Sequence, residues 1–327
     1  MPNDYYDLRN TGYQTGLAGS LLGHASMALG RQSREVTSIT IEYGVIKLLV
    51  SRGLEMLDYR IVPVNSKFFY RGIGINNSYM VKDTAHVGGI IRNSLGRMKG
   101  KHNHVISITP GYTSTLQSLN IPKASGPNPN IAIPDEVRSK MPSLETHHLN
   151  WYRLKDGTDT TRWMYSIVPR RDINSLYETL DNAGLKIDAL DLRPFALARV
   201  VNQPDAIIVW TSQDGFDVTI VRNHIPLLNK TDFDGYKQVD ENVQVDRLTS
   251  LVEEALKTYE PNTSARSTDD IPLYVCGHHL ALEPDIGQQV ATRLRRDTLE
   301  LNLPIKTPQG FPLEDLIVNV GLALREA

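Results

Sequence analysis

Residues 176–199 read LYETLDNAGLKIDALDLRPFALAR and contain two helical patterns separated by a strand pattern. The first helix is predicted to start with Asp172 as its cap and to end at Gly184, because glycine tolerates the left-handed conformation that often follows a helix. The alternating residues of LKIDALDL predict a strand, and Pro194 suits the first turn of a second helix. This order indicates a mixed α/β fold.

Groups of three short strands lie on both sides of this segment. TSITIEYGVIKLLV and LEMLDYRIV predict an antiparallel meander, followed by a helix capped by Asp83 and the strand HVISITPG. DAIIVWT, FDVTIVR and HIPLLN predict a second meander, followed by a helix over 242–259 and the strand IPLYVCG. Both halves therefore have the order strand, strand, strand, helix, strand, which is typical of a duplicated fold whose two lobes close over a cleft.

The chain between the halves is predicted to form an insertion. Four prolines in residues 120–135 argue against regular structure there, and the strand RWMYSIVP follows. The predicted organisation is an N-terminal extension over 1–35, a first lobe over 36–100 with 193–204 and 313–327, an inserted α/β subdomain over 101–192, and a second lobe over 205–312.

Composition excludes several classes of protein. The 327 residues include 35 Lys and Arg against 37 Asp and Glu, so the net charge of −2 argues against a dedicated nucleic-acid-binding protein. Cys276 is the only cysteine, which fits a reducing compartment and excludes a cysteine metal site. The sequence shows neither a signal peptide nor a run of about 18–20 apolar residues, so we expect a cytoplasmic protein whose contact with a membrane is indirect.

Three segments resemble a known family: FYRGIGINNSYMVKDTAHVGGIIRNSL, residues 176–199, and the terminal VGLALRE. They are similar to PilM-like proteins of type IV pilus assembly, relatives of FtsA in the actin-like ATPase superfamily, over about residues 36–327. The resemblance implies a duplicated actin-like (ribonuclease H-like) fold, with a small inserted α/β subdomain and a reduced second-lobe subdomain.

In that superfamily, two hairpins hold the nucleotide phosphates, and the first resembles D-x-G-x-x-x-x-K. Glycine lets backbone N–H groups approach the anion, and the aspartate holds the metal or orients the attacking water. An ungapped alignment places Thr40 at the aspartate, Glu42 at the glycine and Lys47 at the lysine. A shifted alignment, with Glu42, Tyr43 and Gly44 as D-x-G, remains open but shortens the hairpin by two residues.

The other two nucleotide elements are also altered. In the second hairpin, Trp210 stands at the aspartate and Ser212 at the glycine. In the turn that packs on adenosine, Gly277 is retained but His278 and His279 replace further glycines. We therefore expect a pseudo-ATPase with no catalytic residues and no cofactor, whose remnant ATP site keeps Lys47 and Gly277.

The resemblance implies a scaffold of a type IV pilus, or of a related type II secretion-like system, at the inner face of the cytoplasmic membrane. Its expected partner is the cytoplasmic N-terminal peptide of a PilN-like membrane protein, together with other platform proteins, and a homo-oligomer remains open. The expected peptide groove is lined by Val105, Ile106, Ser107 and Ile108. The alternative is an ATP-binding actin-like switch that takes ATP and Mg²⁺.

Two histidine pairs, His147 with His148 and His278 with His279, invite a metal hypothesis. Adjacent residues point in different directions and no His-x3-His spacing accompanies them, so we expect structural or surface histidines and no metal site.

Overall fold

A computed structural model of the chain describes residues 34–325 with internal gaps. The gaps are 72–78, 110–113, 124–125, 127, 157, 214, 233–240, 260–267 and 304. The predicted extension over 1–35 lies outside the described residues except for its last two positions, and the first strand begins at Glu35.

The described residues form fourteen strands and eight α-helices. The strands are β1 (Glu35–Glu42), β2 (Val45–Arg52), β3 (Glu55–Pro63), β4 (Phe69–Arg71), β5 (Tyr79–Val81), β6 (Val105–Ile108), β7 (Thr115–Pro122), β8 (His147–Asp156), β9 (Thr160–Pro169), β10 (Ile187–Asp191), β11 (Asp205–Thr211), β12 (Phe216–Arg222), β13 (Ile225–Asp232) and β14 (Leu273–Gly277). The helices are α1 (Thr84–Leu95), α2 (Pro129–Lys140), α3 (Arg170–Asn182), α4 (Arg193–Val201), α5 (Glu241–Tyr259), α6 (His278–Leu282), α7 (Ile286–Leu294) and α8 (Leu313–Ala323).

The first sheet has the strand order β10-β6-β1-β2-β3. Strands β1, β2 and β3 form the predicted antiparallel meander, while β6 lies parallel to β1 and β10 parallel to β6. The predicted insertion over 101–192 contains β6 and β10, yet both strands pair within the first-lobe sheet. Because the backbone bonds of β6 and β10 are made there, the separate inserted sheet is confined to β7, β8 and β9.

The second sheet repeats the first in its topology. Its order is β13-β12-β11-β14, with β11, β12 and β13 antiparallel and β14 parallel to β11. A two-residue turn at Asn223 and His224, both at positive φ, connects β12 to β13, one residue later than the turn at Arg222 and Asn223 that the sequence predicts. Each lobe is thus a meander whose first strand receives a parallel fourth strand after a helix, and the predicted duplication of this unit is present in the backbone.

The inserted sheet has the order β7-β9-β8, of which the sequence pattern predicts only β9. The proline-rich stretch over 120–135 is regular in part, contrary to the prediction, because β7 runs to Pro122 and α2 starts at Pro129. Proline at the first position of a helix loses no hydrogen bond there. Ile133 and Val137 of α2 are buried against the sheet, and this packing stabilises the helix despite Pro134 in its interior.

Two of the predicted helix ends agree with the structure and one does not. The side chain of Asp83 accepts a hydrogen bond from the His86 amide and caps α1, as predicted. Gly184 follows α3 with φ +78°, also as predicted. Asp172 does not cap α3, because the helix starts at Arg170 and places Asp172 in its first turn, where a carboxylate is favoured by the helix dipole.

Helices α4 and α8 pack against each other in the core shared by the two sheets. One apolar cluster joins residues of both helices to Ile106 of the first sheet and Trp210 of the second. The helices approach closely at Gly321, where an added Cβ would collide with the backbone carbonyl of Ala196. The lobes are therefore held together through this helix pair, and α8 lies beside β1, β2 and β14.

Candidate functional site

The predicted nucleotide motif positions are distributed around α8. The β1–β2 hairpin presents Thr40, Glu42 and Lys47, and the turn from β14 into α6 presents Gly277 and His278. Thr40, the Lys47 carbonyl, Gly277 and His278 bond to this helix, whose first turn carries two further carboxylates, and Glu42 is connected to it through Lys47. Of the two positions on the β11–β12 hairpin, Trp210 lies in the core that α4 and α8 share with the second sheet, and Ser212 lies in the turn after β11.

Glu42 and Lys47 form a buried ion pair. The Lys47 Nζ atom lies 2.8 Å from Glu42 Oε2, and each side chain is only 6% exposed. The β1–β2 register places Thr40 opposite Lys47 and Glu42 opposite Val45, so Glu42 and Lys47 are diagonal neighbours on the same face of the hairpin. The lysine that the resemblance assigns to phosphate binding is therefore neutralised by the residue that replaces the glycine.

Thr40 belongs to a second buried contact. Its hydroxyl donates to Asn319 Oδ1 at 3.0 Å, and Asn319 Nδ2 donates to the carbonyls of Ser38 and Lys47, each at 3.1 Å. Asn319 is completely buried in α8. This network fastens the helix to both strands of the first hairpin and uses Thr40, at the metal-binding aspartate position, as a structural donor.

Trp210 fills the corresponding position of the second hairpin. Its indole is 1% exposed, and the guanidinium carbon of Arg193, at the start of α4, lies 4.1 Å from the ring centroid. Arg193 also forms a buried ion pair with Asp217, the residue opposite Trp210 in the sheet. An aromatic ring stacked on an arginine has no oxygen with which to bind a magnesium ion. The second hairpin therefore lacks the metal ligand that the resemblance assigns to this position.

Ser212, at the expected glycine position, is buried in the turn after β11. Its amide donates to the Gly215 carbonyl at 3.0 Å, and its hydroxyl donates to the same oxygen at 3.3 Å. Both hydrogen-bond donors of Ser212 are therefore used within the turn itself.

Gly277 keeps a conformation that requires glycine. Its φ is +107°, and a Cβ at this position would collide with the backbone of Thr211. Its amide donates to Glu314 Oε2 at 2.6 Å. Burial raises the pKa of Glu314, an effect that the Gly277 bond opposes. A carboxylate of α8 therefore accepts from the amide of the glycine that the resemblance assigns to the remnant nucleotide site.

His278 is paired with the next residue of α8. Its Nδ1 lies 2.7 Å from Asp315 Oδ1. This hydrogen bond lowers the pKa of Asp315, with smaller contributions from the charges of His278 and Lys47 and an opposing effect of burial. Asp315 is thus electrostatically linked to both sides of the cleft, to β2 through Lys47 and to α6 through His278.

His279 lies deeper in the second lobe. It is 1% exposed, and its amide donates to the hydroxyl of Thr211 at 3.1 Å. Burial is the main reason that the pKa of His279 falls to about 4. The ring is therefore neutral at pH 7 and contributes no positive charge for an anion.

The charge balance of this region is unfavourable for a triphosphate. Lys47 pairs with Glu42 and its charge also acts on Asp315, while Glu314, at the Gly277 amide, adds a third carboxylate whose charge interacts with that of Asp315. At ~5 Å and an effective dielectric constant of about 20, each repulsive pair of unit charges costs roughly 3 kcal/mol. Across the described residues, no group of three or more His, Cys, Asp or Glu side chains is placed to hold a metal ion.

The predicted peptide groove is wrong for its four named residues. Val105, Ile106, Ser107 and Ile108 form β6, which pairs with β1 on one side and β10 on the other. All four are at most 2% exposed, and the Ser107 hydroxyl donates to the Ile39 carbonyl. A strand with both edges paired and both faces covered cannot line a groove.

Four residues of the site are absent from the sequence prediction: Arg193, Glu314, Asp315 and Asn319. Asn319 could have been noticed as a polar residue inside the apolar run LIVNVGLAL, and a polar residue at a core position needs partners. Glu314 and Asp315 carry the signal of a helix start but none of their partners, which lie 37 residues earlier in the chain.

The fold is similar to that of solved proteins at low sequence identity. PilM, in a PilM–PilN type IV pilus biogenesis complex, aligns with a TM-score of 0.70 and 16% identity over 90% of this chain and 99% of that chain. The ethanolamine utilization protein EutJ from Carboxydothermus hydrogenoformans aligns with a TM-score of 0.55 and 13% identity over 89% of each chain. No protein-family model and no curated protein matches the sequence. The predicted duplicated actin-like fold and the resemblance to PilM in structure are confirmed.

Proposed function

We propose that this chain is a scaffold of a type IV pilus, or of a related type II secretion-like, inner-membrane assembly platform. In this role it binds the cytoplasmic N-terminal peptide of a PilN-like membrane protein and does not hydrolyse ATP. It lies in the cytoplasm and reaches the membrane through that partner, and it meets other platform proteins in the same assembly.

The partner is supported by the similarity to PilM in its complex with PilN, which extends over nearly the whole of both chains. At 16% identity this similarity establishes the fold, and the partner is carried over as part of the proposal. Among the described residues, no helix has the length and apolarity to cross a membrane.

The absence of ATP hydrolysis is supported by the contacts of the motif residues. Each candidate nucleotide ligand is used inside the protein: Lys47 by Glu42, the Gly277 amide by Glu314, and Thr40 by Asn319. This internal use of the motif residues is the observation that carries the proposal. A phosphate at this position would have to displace a buried ion pair and a charge-assisted hydrogen bond, and it would meet added negative charge.

Strand β8 replaces β6 as the candidate docking edge. In the described part of the chain, β8 pairs only with β9, and Tyr152 and Leu154 pack against the core of the first lobe. The strand therefore lies at the junction of the first lobe and the inserted sheet, which is where we place the peptide. An extended peptide binds such an edge by main-chain hydrogen bonds, with alternate side chains in apolar pockets.

Calorimetric titration of the full chain with a synthetic N-terminal peptide of a PilN-like protein tests the proposal. We expect binding without nucleotide and an unchanged affinity when ATP and Mg²⁺ are added. N-methylation at alternate peptide positions supplies the matched control, because only one parity of amides faces β8. Binding that requires ATP, or binding that is equally sensitive to methylation at both parities, would contradict the corresponding part of the proposal.

The second candidate is the ATP-binding switch, favoured by the retention of Lys47 and of the glycine conformation at Gly277. It requires the Glu42–Lys47 pair to open and the Glu314 carboxylate to leave the Gly277 amide. Micromolar affinity for ATP with Mg²⁺, together with a change in the angle between the lobes, would establish the switch in place of the scaffold.

A further inference from the structure

Helix α8 is attached to both lobes by polar contacts, which are buried at Asn319 and half-buried in the first turn of the helix. In its interior, Asn319 bonds to Thr40 and to the backbone of β1 and β2 in the first lobe. In its first turn, Glu314 and Asp315 bond to Gly277 and His278 in the second lobe. One rigid helix therefore connects the first hairpin with the turn that follows β14.

The contacts in the first turn have the chemistry of an anion bound between lobes. A carboxylate oxygen accepts from the Gly277 amide at 2.6 Å, and a bond from a backbone amide to an ionised carboxylate is stronger than one between neutral groups. The conformation of Gly277 is one that only glycine adopts readily, so this amide is held ready for a close acceptor. Asp315 adds a second carboxylate that faces His278 and the charge of Lys47.

We propose that Glu314 and Asp315 act as a built-in anionic ligand that occupies the cleft and locks the two lobes together without nucleotide. This inference rests on the proposed nucleotide-independent function and explains how the interlobe arrangement persists in the absence of ATP. A bound nucleotide joins two lobes by contacting both of them. Here the same connection is made by side chains that cannot dissociate, because α8 is fixed to the first lobe through Asn319.

The lock differs from simple packing in its predicted response to charge. Replacing Glu314 and Asp315 by Gln and Asn keeps their size, so the apolar contact of α8 with α4 is unchanged. Gln still reaches the Gly277 amide, but its neutral oxygen is a weaker acceptor than a carboxylate. Residues 273–282 should then open more often, together with the β1–β2 hairpin on the other side of the helix.

Hydrogen exchange on the full chain, followed by mass spectrometry without nucleotide, measures this opening. In E314Q/D315N we expect exchange on the order of tenfold faster at residues 273–282, the size of effect associated with one charge-assisted hydrogen bond. E254Q is the matched control, because it removes an exposed carboxylate that pairs with Lys230 at 2.8 Å and should leave exchange in 273–282 unchanged. Equal exchange in E314Q/D315N and the parent chain would overturn the lock.

If E314Q/D315N does not fold, E314D takes its place. That variant keeps the charge but shortens the side chain by one methylene, which withdraws the acceptor from the Gly277 amide. Faster exchange at 273–282 supports the lock, and exchange as slow as in the parent chain overturns it. This readout contains no peptide and no ATP, so the lock can fail while the scaffold function stands. Failure of the peptide titration leaves the exchange result unaffected.

Discussion

Removal of the Glu42 carboxylate should destabilise the protein, because Lys47 is then buried without its ionic partner. The variant E42Q keeps the shape of the side chain but leaves the Lys47 ammonium group buried beside a neutral amide. Both side chains are 6% exposed, so water compensates little for the lost charge. Breaking a buried pair by removal of one partner costs about 3–5 kcal/mol, whereas replacement of both partners by neutral groups is often near neutral.

We therefore expect E42Q to lower the free energy of unfolding by about 3–5 kcal/mol, and E42Q/K47M to recover most of that loss. Guanidinium unfolding at pH 7, followed by circular dichroism, gives each value. The matched control is E254Q, because the Lys230–Glu254 pair has the same 2.8 Å distance but its side chains are 35% and 60% exposed. That exposed pair should contribute no more than about 1 kcal/mol.

A cost below about 1 kcal/mol for E42Q, with no recovery in the double variant, would refute this reasoning. Lys47 would then behave as a solvated side chain that is available to a phosphate. The Glu42–Lys47 pair would then present no barrier to a triphosphate.

Three other variants and a change of pH test the surrounding contacts. N319L should lower the free energy of unfolding by about 2–4 kcal/mol, because it leaves buried groups of β1 and β2 without their partner, while T40V removes one of these bonds and should cost about 1 kcal/mol. G277A should lower the melting temperature by several degrees, because φ is +107° at Gly277 and the added methyl group collides with β11. Stability should fall as pH drops from 7 to 5 in urea titrations, because burial lowers the pKa of His148 and His279 to about 4.

The sign of the pH effect follows from proton binding. A histidine with an ordinary pKa near 6.5 in the unfolded chain binds a proton at pH 5 there but not in the folded state, so acid favours unfolding. H279Q should flatten this dependence in part. A urea midpoint that is equal at pH 5 and pH 7 would count against neutral His148 and His279 in the folded protein. An N319L protein as stable as T40V would count against the α8 network.

The sequence predicts the parts of the fold that depend on local patterns. The two meanders, the cap at Asp83 and the end of α3 at Gly184 follow from alternation, a capping side chain and a residue that tolerates positive φ. Strands β7 and β8 are not predicted, because their half-buried surfaces alternate weakly and their pairing with β9 is a tertiary contact.

The sequence predicts which motif residues of the site are lost, but it does not predict the contacts that their replacements make. Thr40, Glu42, Trp210 and His278 can be recognised as departures from a family pattern. That Glu42 neutralises Lys47 follows only from the hairpin register. That Glu314 reaches Gly277 follows only from the position of α8 between the lobes. The groove prediction at β6 was wrong because a short apolar strand looks the same in sequence whether it borders a groove or lies inside a sheet.

Calorimetric titration of the full chain with ATP in the presence of Mg²⁺ tests the central claim most directly. The internal use of Lys47 and of the Gly277 amide predicts no heat of binding up to millimolar nucleotide. Saturable binding at micromolar concentration would show that the cleft accepts a triphosphate, and would contradict a scaffold that works without nucleotide.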